Sequence, residues 1–314
     1  MEQRLFLDFE KYVRAIYHDE HILLHRPVFS QSDEQFVLAC LKSNFVSSAG
    51  PEVGLFEKQM AEFTEAKYAV ATVSGTAALH ACLAVIGVSF GDEVITPSLT
   101  FVATGNAVKY CGAEPVFLDV EPNTGTICPE ALRRFLSNET TNVNGKLLNK
   151  STKRPIKACI VMHTFGHPAR LTELSEICKN FDIDLIEDAA EALGSRINDR
   201  HVGNAGILSI YSFNGNKIIT TGGGGMITSN DEELATKLRH ITTTAKVPHQ
   251  YNYFHDQLGF NYRLPNLNAS LGLGQMKYLQ KFLAAKRKVA KLYDDFFKET
   301  PVRFWSEEPG AVSN

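Results

Sequence analysis

Between residues 68 and 229 short apolar runs alternate with stretches of helical spacing. Tyr68-Ala-Val-Ala-Thr-Val73 reads as a buried strand, and Ser74-Gly75-Thr76 opens a helix reaching about Ile86. Residues 92–96 and 115–120 follow as strands, 101–110 and 129–136 as helices, the latter with Pro129 in its first turn. Then come a strand over 157–162, a helix over 172–180 and a strand over 184–187. Two more strands, 207–212 and 225–229, flank a glycine-rich stretch. Strands that are apolar at nearly every position are buried on both faces. Their alternation with helices predicts an α/β fold, a mostly parallel sheet with helices on both faces. Ligands of such sheets gather beyond the carboxyl ends of the strands. The polar residues 138–155 are expected to form an exposed excursion.

Outside this block the spacing is helical. Residues 4–17 and 33–42 predict helices, the second capped by Ser32. A breaker-rich loop over 45–51 precedes a helix over 52–63, marked by Val53, Phe56, Met60 and Phe63. Residues 232–240 predict another helix. After a polar and aromatic loop over 242–263, one long helix is expected from about 266 to 297. This divides the chain into an N-terminal helical segment (1–50), a large α/β domain (51–264), and a long helix with the start of a small C-terminal domain (265–314). The chain stops soon after that helix, so a shortened small domain is expected.

Composition narrows the class. Of 314 residues, 44% are apolar and 21% charged, the profile of a soluble globular protein. A net charge of −3 with scattered basic residues gives no footing for nucleic acid or an anionic membrane. No apolar run approaches the roughly 20 residues a membrane-spanning helix needs, and Met1-Glu-Gln-Arg-Leu-Phe6 lacks the profile of a signal peptide. Cys40, Cys82, Cys111, Cys128, Cys159 and Cys178 form no Cys-x-x-Cys pair. They predict reduced core thiols and a cytoplasmic protein.

The candidate chemistry centres on Lys217. It follows a buried strand and sits between Asn216 and Ile218-Ile219 rather than among charges. A lysine in a partly dry pocket loses ammonium hydration and becomes available as an amine, here for a Schiff base with pyridoxal phosphate (PLP). Asp188 ends an apolar strand. It suits either a helix N-cap or the acid that pairs with a pyridine nitrogen. Ser74-Gly75-Thr76 is a strand-to-helix turn whose amides and Thr76 hydroxyl fit a phosphate, and Ser212 offers a second hydroxyl. Gly222 to Gly225 lacks the G-x-G-x-x-G spacing and precedes a strand, so it reads as room for close backbone approach rather than as a phosphate loop. Phe101, just past a strand end, fits a ring platform or a core aromatic. His163 and His167 have i, i+4 spacing, but Gly166 and Pro168 exclude the helix a metal pair needs, and no metal site is expected. Glu187 and Asp188, adjacent on a strand, point to opposite faces.

Together the motifs Ser74-Gly-Thr-Ala-Ala-Leu79, Pro97-Ser-Leu-Thr-Phe-Val-Ala-Thr104, Glu187-Asp-Ala-Ala190, Ser212-Phe-x-x-x-Lys217 and Gly259-Phe-Asn-Tyr-Arg-Leu264 resemble, in order, those of DegT/StrS-type sugar-nucleotide aminotransferases. The resemblance implies the PLP-dependent transferase fold of type I. It implies that Lys217 carries the cofactor and shuttles protons, that Asp188 pairs with the pyridine nitrogen and that Phe101 stacks on the ring. Gly75, Thr76 and Ser212 would hold the phosphate, and Glu191 would lie near the ring hydroxyl. Asn261 would reach a neighbouring subunit's phosphate site in a homodimer with shared active sites, and Arg263 would bind the substrate's diphosphate. His163-Thr-Phe-Gly-His-Pro168, Phe213-Asn-Gly-Asn-Lys-Ile-Ile-Thr-Thr-Gly-Gly-Gly-Gly225 and Thr242-Thr-Thr-Ala-Lys-Val-Pro-His249 resemble the branch that aminates C4 of UDP-4-keto-6-deoxy-N-acetylglucosamine, with glutamate as donor, for bacterial surface glycans (bacillosamine and legionaminic acid). The alternatives are a GDP- or dTDP-linked keto sugar, a PLP-binding regulator without turnover, and a nucleotide-binding protein in which Lys217 is structural.

Overall fold

The structure, a computed structural model, describes residues 2–19 and 21–314. Helices α1 (Glu2–Tyr17), α2 (Gln31–Ser43) and α3 (Pro51–Thr64) lead into β1 (Tyr68–Thr72) and α4 (Gly75–Val85). Next come β2 (Glu93–Pro97), α5 (Val102–Tyr110), β3 (Glu114–Leu118) and α6 (Pro129–Glu139). A hairpin of β4 (Thr140–Val143) and β5 (Lys146–Asn149) precedes β6 (Ile156–Met162), α7 (Leu171–Asn180) and β7 (Asp184–Asp188). The short strands β8 (Arg196–Ile197) and β9 (Arg200–His201) come before β10 (Leu208–Ser212), β11 (Gly225–Ser229) and α8 (Glu232–Thr242). The chain closes with β12 (Lys246–Val247), β13 (Phe254–His255), α9 (Asn266–Met276), α10 (Leu279–Phe297) and β14 (Ala311–Val312). No described helix is long and apolar enough to cross a membrane.

Seven strands form the main sheet in the order β1-β11-β10-β7-β6-β2-β3. The pairs from β10 to β3 are parallel, and β11 runs antiparallel to both neighbours. The expected mostly parallel sheet is present, with one reversed strand. Period-2 alternation sends side chains into two cores. Ala69, Ala71, Cys159, Val161, Leu185, Tyr211 and Met226 face a core built with α3, α6, α7 and α9. Val70, Ala158, Ile160, Ile186, Leu208, Ile210 and Ile227 face one built with α4, α5 and α8. β1 is an edge strand, and its free backbone groups are capped rather than left open. Glu57 accepts from the Ala71 N–H at 2.8 Å, and Arg239 donates to the Ala69 carbonyl at 2.8 Å.

Two local expectations need correction, the cap of α2 and the single long helix, and two others gain detail. The N-cap of α2 is Ser30, not Ser32. Ser30 exchanges hydrogen bonds with Asp33 in a capping box, which Ser32, inside the helix, is too late to form. Residues 138–155 are largely exposed, as expected, and carry a hairpin that their composition does not announce. Asn144-Gly145, with φ of 52° and 77°, turns the β4–β5 hairpin. Beyond it, Asn149 and Thr152 donate to the buried Glu93 carboxylate at 2.8 and 2.7 Å. The long helix over 266–297 is two helices, because the amides of Lys277 and Tyr278 bond three residues back, to Gly274 and Gln275, and tighten the turn. Packing runs across the positions expected as boundaries, 50 and 264. α9 lies against α2 and α3 through the close approaches of Gly274 to Asp33 and Gly272 to Phe56. α1 lies on α10 through Phe9, whose ring meets those of Tyr293, Phe296 and Phe297.

Candidate active site

The carboxyl ends of β1, β2, β6, β7 and β10 open on the same edge of the sheet, and β11 begins there. The register pairs Gly225 with both Thr72 and Ser212. This brings the start of α4 against the end of β10. A Cβ on Gly75 would lie 3.0 Å from Ser212 Cβ, so glycine lets these two elements meet. Ser74 caps α4 by accepting from the Ala77 N–H at 3.1 Å. The amides of Gly75 and Thr76, in the first turn, have no carbonyl within the helix to reach, and the positive end of the dipole leaves them suited to an anion.

Lys217 stands on a loop closed by Phe213. The buried Phe213 carbonyl accepts from the Thr221 N–H at 3.0 Å and the Thr220 hydroxyl at 3.1 Å. α9 holds the loop from below. Asn268 donates to the Thr221 carbonyl at 2.7 Å, and Gln275 accepts from the Thr220 N–H at 3.4 Å while donating to the Val28 carbonyl at 3.0 Å. The Lys217 side chain is only 14% exposed, and its Nζ donates to Glu191 Oε1 at 3.0 Å. Glu191 Oε2 accepts from the Phe165 N–H at 3.1 Å. On the other side, His25 lies close to Lys217, and its Nδ1 is 2.7 Å from Lys286 Nζ. Burial lowers the His25 pKa, and the Lys286 charge adds to that.

Asp188 is 5% exposed and faces α5. Its Oδ2 meets the Thr104 hydroxyl at 2.9 Å, and its Oδ1 accepts from the Ala190 N–H at 3.2 Å. Burial raises its carboxyl above the usual range, and these hydrogen bonds and the Lys217 charge only partly offset it. Glu187 points to the opposite face, as strand geometry requires. It accepts from His163 Nε2 at 3.0 Å and from the N–H groups of Gly203, Ala205 and Gly206, each at 2.7 Å. Because His163 Nδ1 accepts from the Ala169 N–H at 3.1 Å, its proton resides on Nε2. Burial pushes the Glu187 carboxyl up, but His163 and the amides outweigh it and the net shift is down.

The other expected site residues divide. Phe101 is 65% exposed at the N-terminus of α5, which excludes the core reading and leaves its ring open at the strand ends. Asn261 is exposed on the loop before α9. Arg263, expected to bind the substrate's diphosphate, is held in an ion pair in this structure. Its Nη1 lies 2.5 Å from Glu57 Oε1 and donates to the Ala71 carbonyl at 3.3 Å, so the guanidinium belongs to the sealed edge of β1. His163 and His167 are not on a helix. His163 has both nitrogens engaged, and His167 sits edge-on to Trp305. Sequence reasoning missed the parts played by Thr104, Gln275, Asn268 and Phe165. Thr104 and Phe165 lie inside recognised motifs, but nothing in the spacing marks their partners.

These residues fit PLP in their donor chemistry. A buried carboxylate with no cation within ion-pair distance among the described residues suits a protonated ring nitrogen. A helix start with unpaired amides suits a phosphate, and the sheltered Lys217 amine lies near enough to Asp188 for its charge to act on that carboxyl.

The sequence profile of the DegT/DnrJ/EryC1/StrS aminotransferase family matches residues 28–312. GDP-perosamine synthase of Escherichia coli O157:H7 is 36% identical over 274 residues, covering 87% of this chain and 71% of that protein. The putative pyridoxal phosphate-dependent aminotransferase EpsN of Bacillus subtilis (strain 168) is 39% identical over 294 residues, 93% of this chain and 73% of that one. Among solved structures, the aminotransferase TlmJ from Streptoalloteichus hindustanus superposes with a TM-score of 0.84 at 27% identity, covering 93% of this chain and 76% of that chain. The fold is therefore the one expected from the motifs, that of PLP-dependent aminotransferases.

Proposed function

The chain belongs to the DegT/DnrJ/EryC1/StrS aminotransferase family and is a sugar aminotransferase by that membership; from this premise we propose that it uses PLP to move an amino group from glutamate to C4 of a UDP-linked 4-keto-6-deoxy-N-acetylhexosamine. The observation that carries the reading is the placement of the sheltered Lys217 amine, paired with Glu191, at the same strand ends as the buried Asp188. Bound there, PLP supplies an electron sink that lets an amino group pass between carbons through proton transfers. Lys217 holds the cofactor, then takes and returns the proton at the reacting carbon. Asp188 holds the ring nitrogen protonated. Phe101 covers a ring face, and Gly75, Thr76 and Ser212 hold the phosphate. Glu191 orients the Lys217 amine and lies beside the ring hydroxyl. Asn261, exposed, serves the phosphate site of the partner subunit in a homodimer.

A second reading exchanges UDP for GDP, favoured by the likeness to GDP-perosamine synthase. One experiment tests both. The protein, reconstituted with PLP, is offered UDP-, GDP- and dTDP-4-keto sugars with glutamate, and amino-sugar products are read by mass spectrometry. Borohydride should fix the cofactor on Lys217, and Lys217→Ala should abolish product. Turnover by the Ala variant, or trapping on another lysine, sinks the assignment.

A further inference from the structure

Phe165 combines two features that a large aromatic residue ordinarily avoids. Its backbone is left-handed (φ 51°, ψ 29°), and its side chain is 68% exposed. A left-handed non-glycine residue is strained and persists only where the surroundings over-determine it. Here they do. The Gly166 N–H donates to the His163 carbonyl at 3.1 Å, and the His167 N–H to the Thr164 carbonyl at 3.0 Å. The Thr164 hydroxyl donates to the Gly125 carbonyl at 2.9 Å, and the Ser195 hydroxyl to the Gly166 carbonyl at 2.7 Å. The turn is thus locked on both sides of Phe165.

The locked turn has two results. The Phe165 N–H points at Glu191, whose other oxygen holds Lys217. The Phe165 ring lies nearly parallel to Trp305, with centroids 5.7 Å apart and planes at 27°. Trp305 is itself seated, because it covers Gly125, where a Cβ would come within 2.4 Å of its ring. His167 meets Trp305 edge-on, with centroids 6.2 Å apart. The outcome is an aromatic ring backed by Trp305 and open to solvent, on a residue whose own N–H is one carboxylate away from the amine.

We propose that the open face of Phe165, backed by Trp305, is the platform on which the hexose ring of the nucleotide sugar rests. This rests on the aminotransferase reading above. The carbon that receives the amino group has to come to Lys217. The hexose ring that contains it therefore lies within a ring's width of Glu191 and of the Phe165 backbone that Glu191 holds. The nucleobase is a ribose and a diphosphate further away. The C–H face of a hexose, more so that of a 6-deoxy sugar, is apolar and weakly positive, and it matches the negative face of an aromatic ring. Phe165 is thus a specificity residue for the sugar half of the reaction.

Trp305 is the sole tryptophan of the sequence, so its fluorescence reports on this platform. The PLP-loaded protein is titrated with UDP-N-acetylglucosamine against UDP, and with GDP-mannose against GDP. At least one hexose-bearing ligand should change the emission, and the bare diphosphates should not. Phe165→Ala should weaken that ligand about tenfold, a loss near 1.4 kcal/mol, and Phe165→Tyr should restore it to within about threefold. In stopped-flow absorbance, Phe165→Ala should slow the keto-sugar half-reaction about tenfold beyond any effect on the glutamate half-reaction. The glutamate half-reaction also shows that the variant folds. An equal signal from the bare diphosphates, no signal from either hexose ligand, or equal slowing of both halves overturns the platform. Should no keto sugar be aminated while the fluorescence pattern holds, the transfer reading falls and the platform stands. The reverse result removes the platform alone.

Discussion

Thr104 and Asp188 share a buried hydrogen bond of 2.9 Å, and Thr104 Oγ1 also lies 2.7 Å from Thr100 Oγ1, which is 3.0 Å from Met162 Sδ. One proton per hydroxyl allows two consistent directions along this chain. With Asp188 ionised, Thr100 donates to Thr104 and Thr104 to the carboxylate. With Asp188 protonated, the order reverses and ends on the sulfur. Burial already raises the Asp188 carboxyl, and the Thr104 hydroxyl counters it. Thr104→Val keeps the shape and removes the donor that favours the charged form, so the carboxyl should rise further. Because a hydrogen bond to a charged group is worth about 1.5–3 kcal/mol, PLP should bind at least about tenfold more weakly. The pH dependence of the bound cofactor's absorbance should move upward, and Thr104→Ser should restore both. An unchanged pH dependence in the Val variant would show that Thr104 only fills space.

Gly225 decides whether α4 can reach the sheet. A Cβ there would lie 2.5 Å from the Ser74 carbonyl carbon and oxygen and 2.8 Å from the Gly75 nitrogen, all backbone atoms without freedom to rotate away. Gly223, two residues earlier, has nothing within 4 Å. Gly225→Ala should therefore cost about 1–3 kcal/mol in urea unfolding, as overpacked sites do, and should weaken PLP binding by prising the phosphate turn from Ser212. Gly223→Ala should change stability by no more than about 0.5 kcal/mol. Equal behaviour of the two variants would refute the close-approach reading.

The same pair shows how much was legible beforehand. The α/β class, the strand ends that carry Lys217 and Asp188, and the turn at Ser74 follow from apolar runs bounded by turn residues, because period and burial are local signals. That four glycines follow Lys217 is equally plain. Which one is pressed against Ser74 depends on the antiparallel pairing of β1 with β11, a long-range fact. The Arg263 partner is hidden for the same reason. An arginine in a functional motif reads as an anion binder until Glu57, far earlier in the chain, is seen to hold it. The β4–β5 hairpin is a different kind of miss, because Asn144-Gly145 announced it and a polar composition masked it. The break between α9 and α10 carries neither glycine nor proline, so only the tightened backbone reveals it.

His201 sets the last expectation, a loss of stability in mild acid. Its Nε2 accepts from the Gly194 N–H at 2.8 Å, and its Nδ1 lies 2.5 Å from the Val202 carbonyl, so the neutral ring with the proton on Nδ1 satisfies both. Burial, the largest cause, lowers its pKa to about 4, and the Val202 carbonyl offsets this only in part. Unfolded, the imidazole takes a proton below about 6.5. Between pH 6.5 and 4 the unfolded chain therefore binds more protons than the folded one, and stability falls as pH falls. From pH 7 to pH 5 this one group should remove about 2 kcal/mol. Urea unfolding at the two pH values measures it, with His201→Gln as the comparison because it has both a donor and an acceptor and does not titrate. His80 and His167, whose pKa values burial also lowers, act in the same direction and should leave the variant a shallower residual slope. Most carboxylates titrate below this window, so they do not mimic the effect. A variant whose loss between pH 7 and pH 5 equals that of the wild type would show that His201 is protonated as readily folded as unfolded.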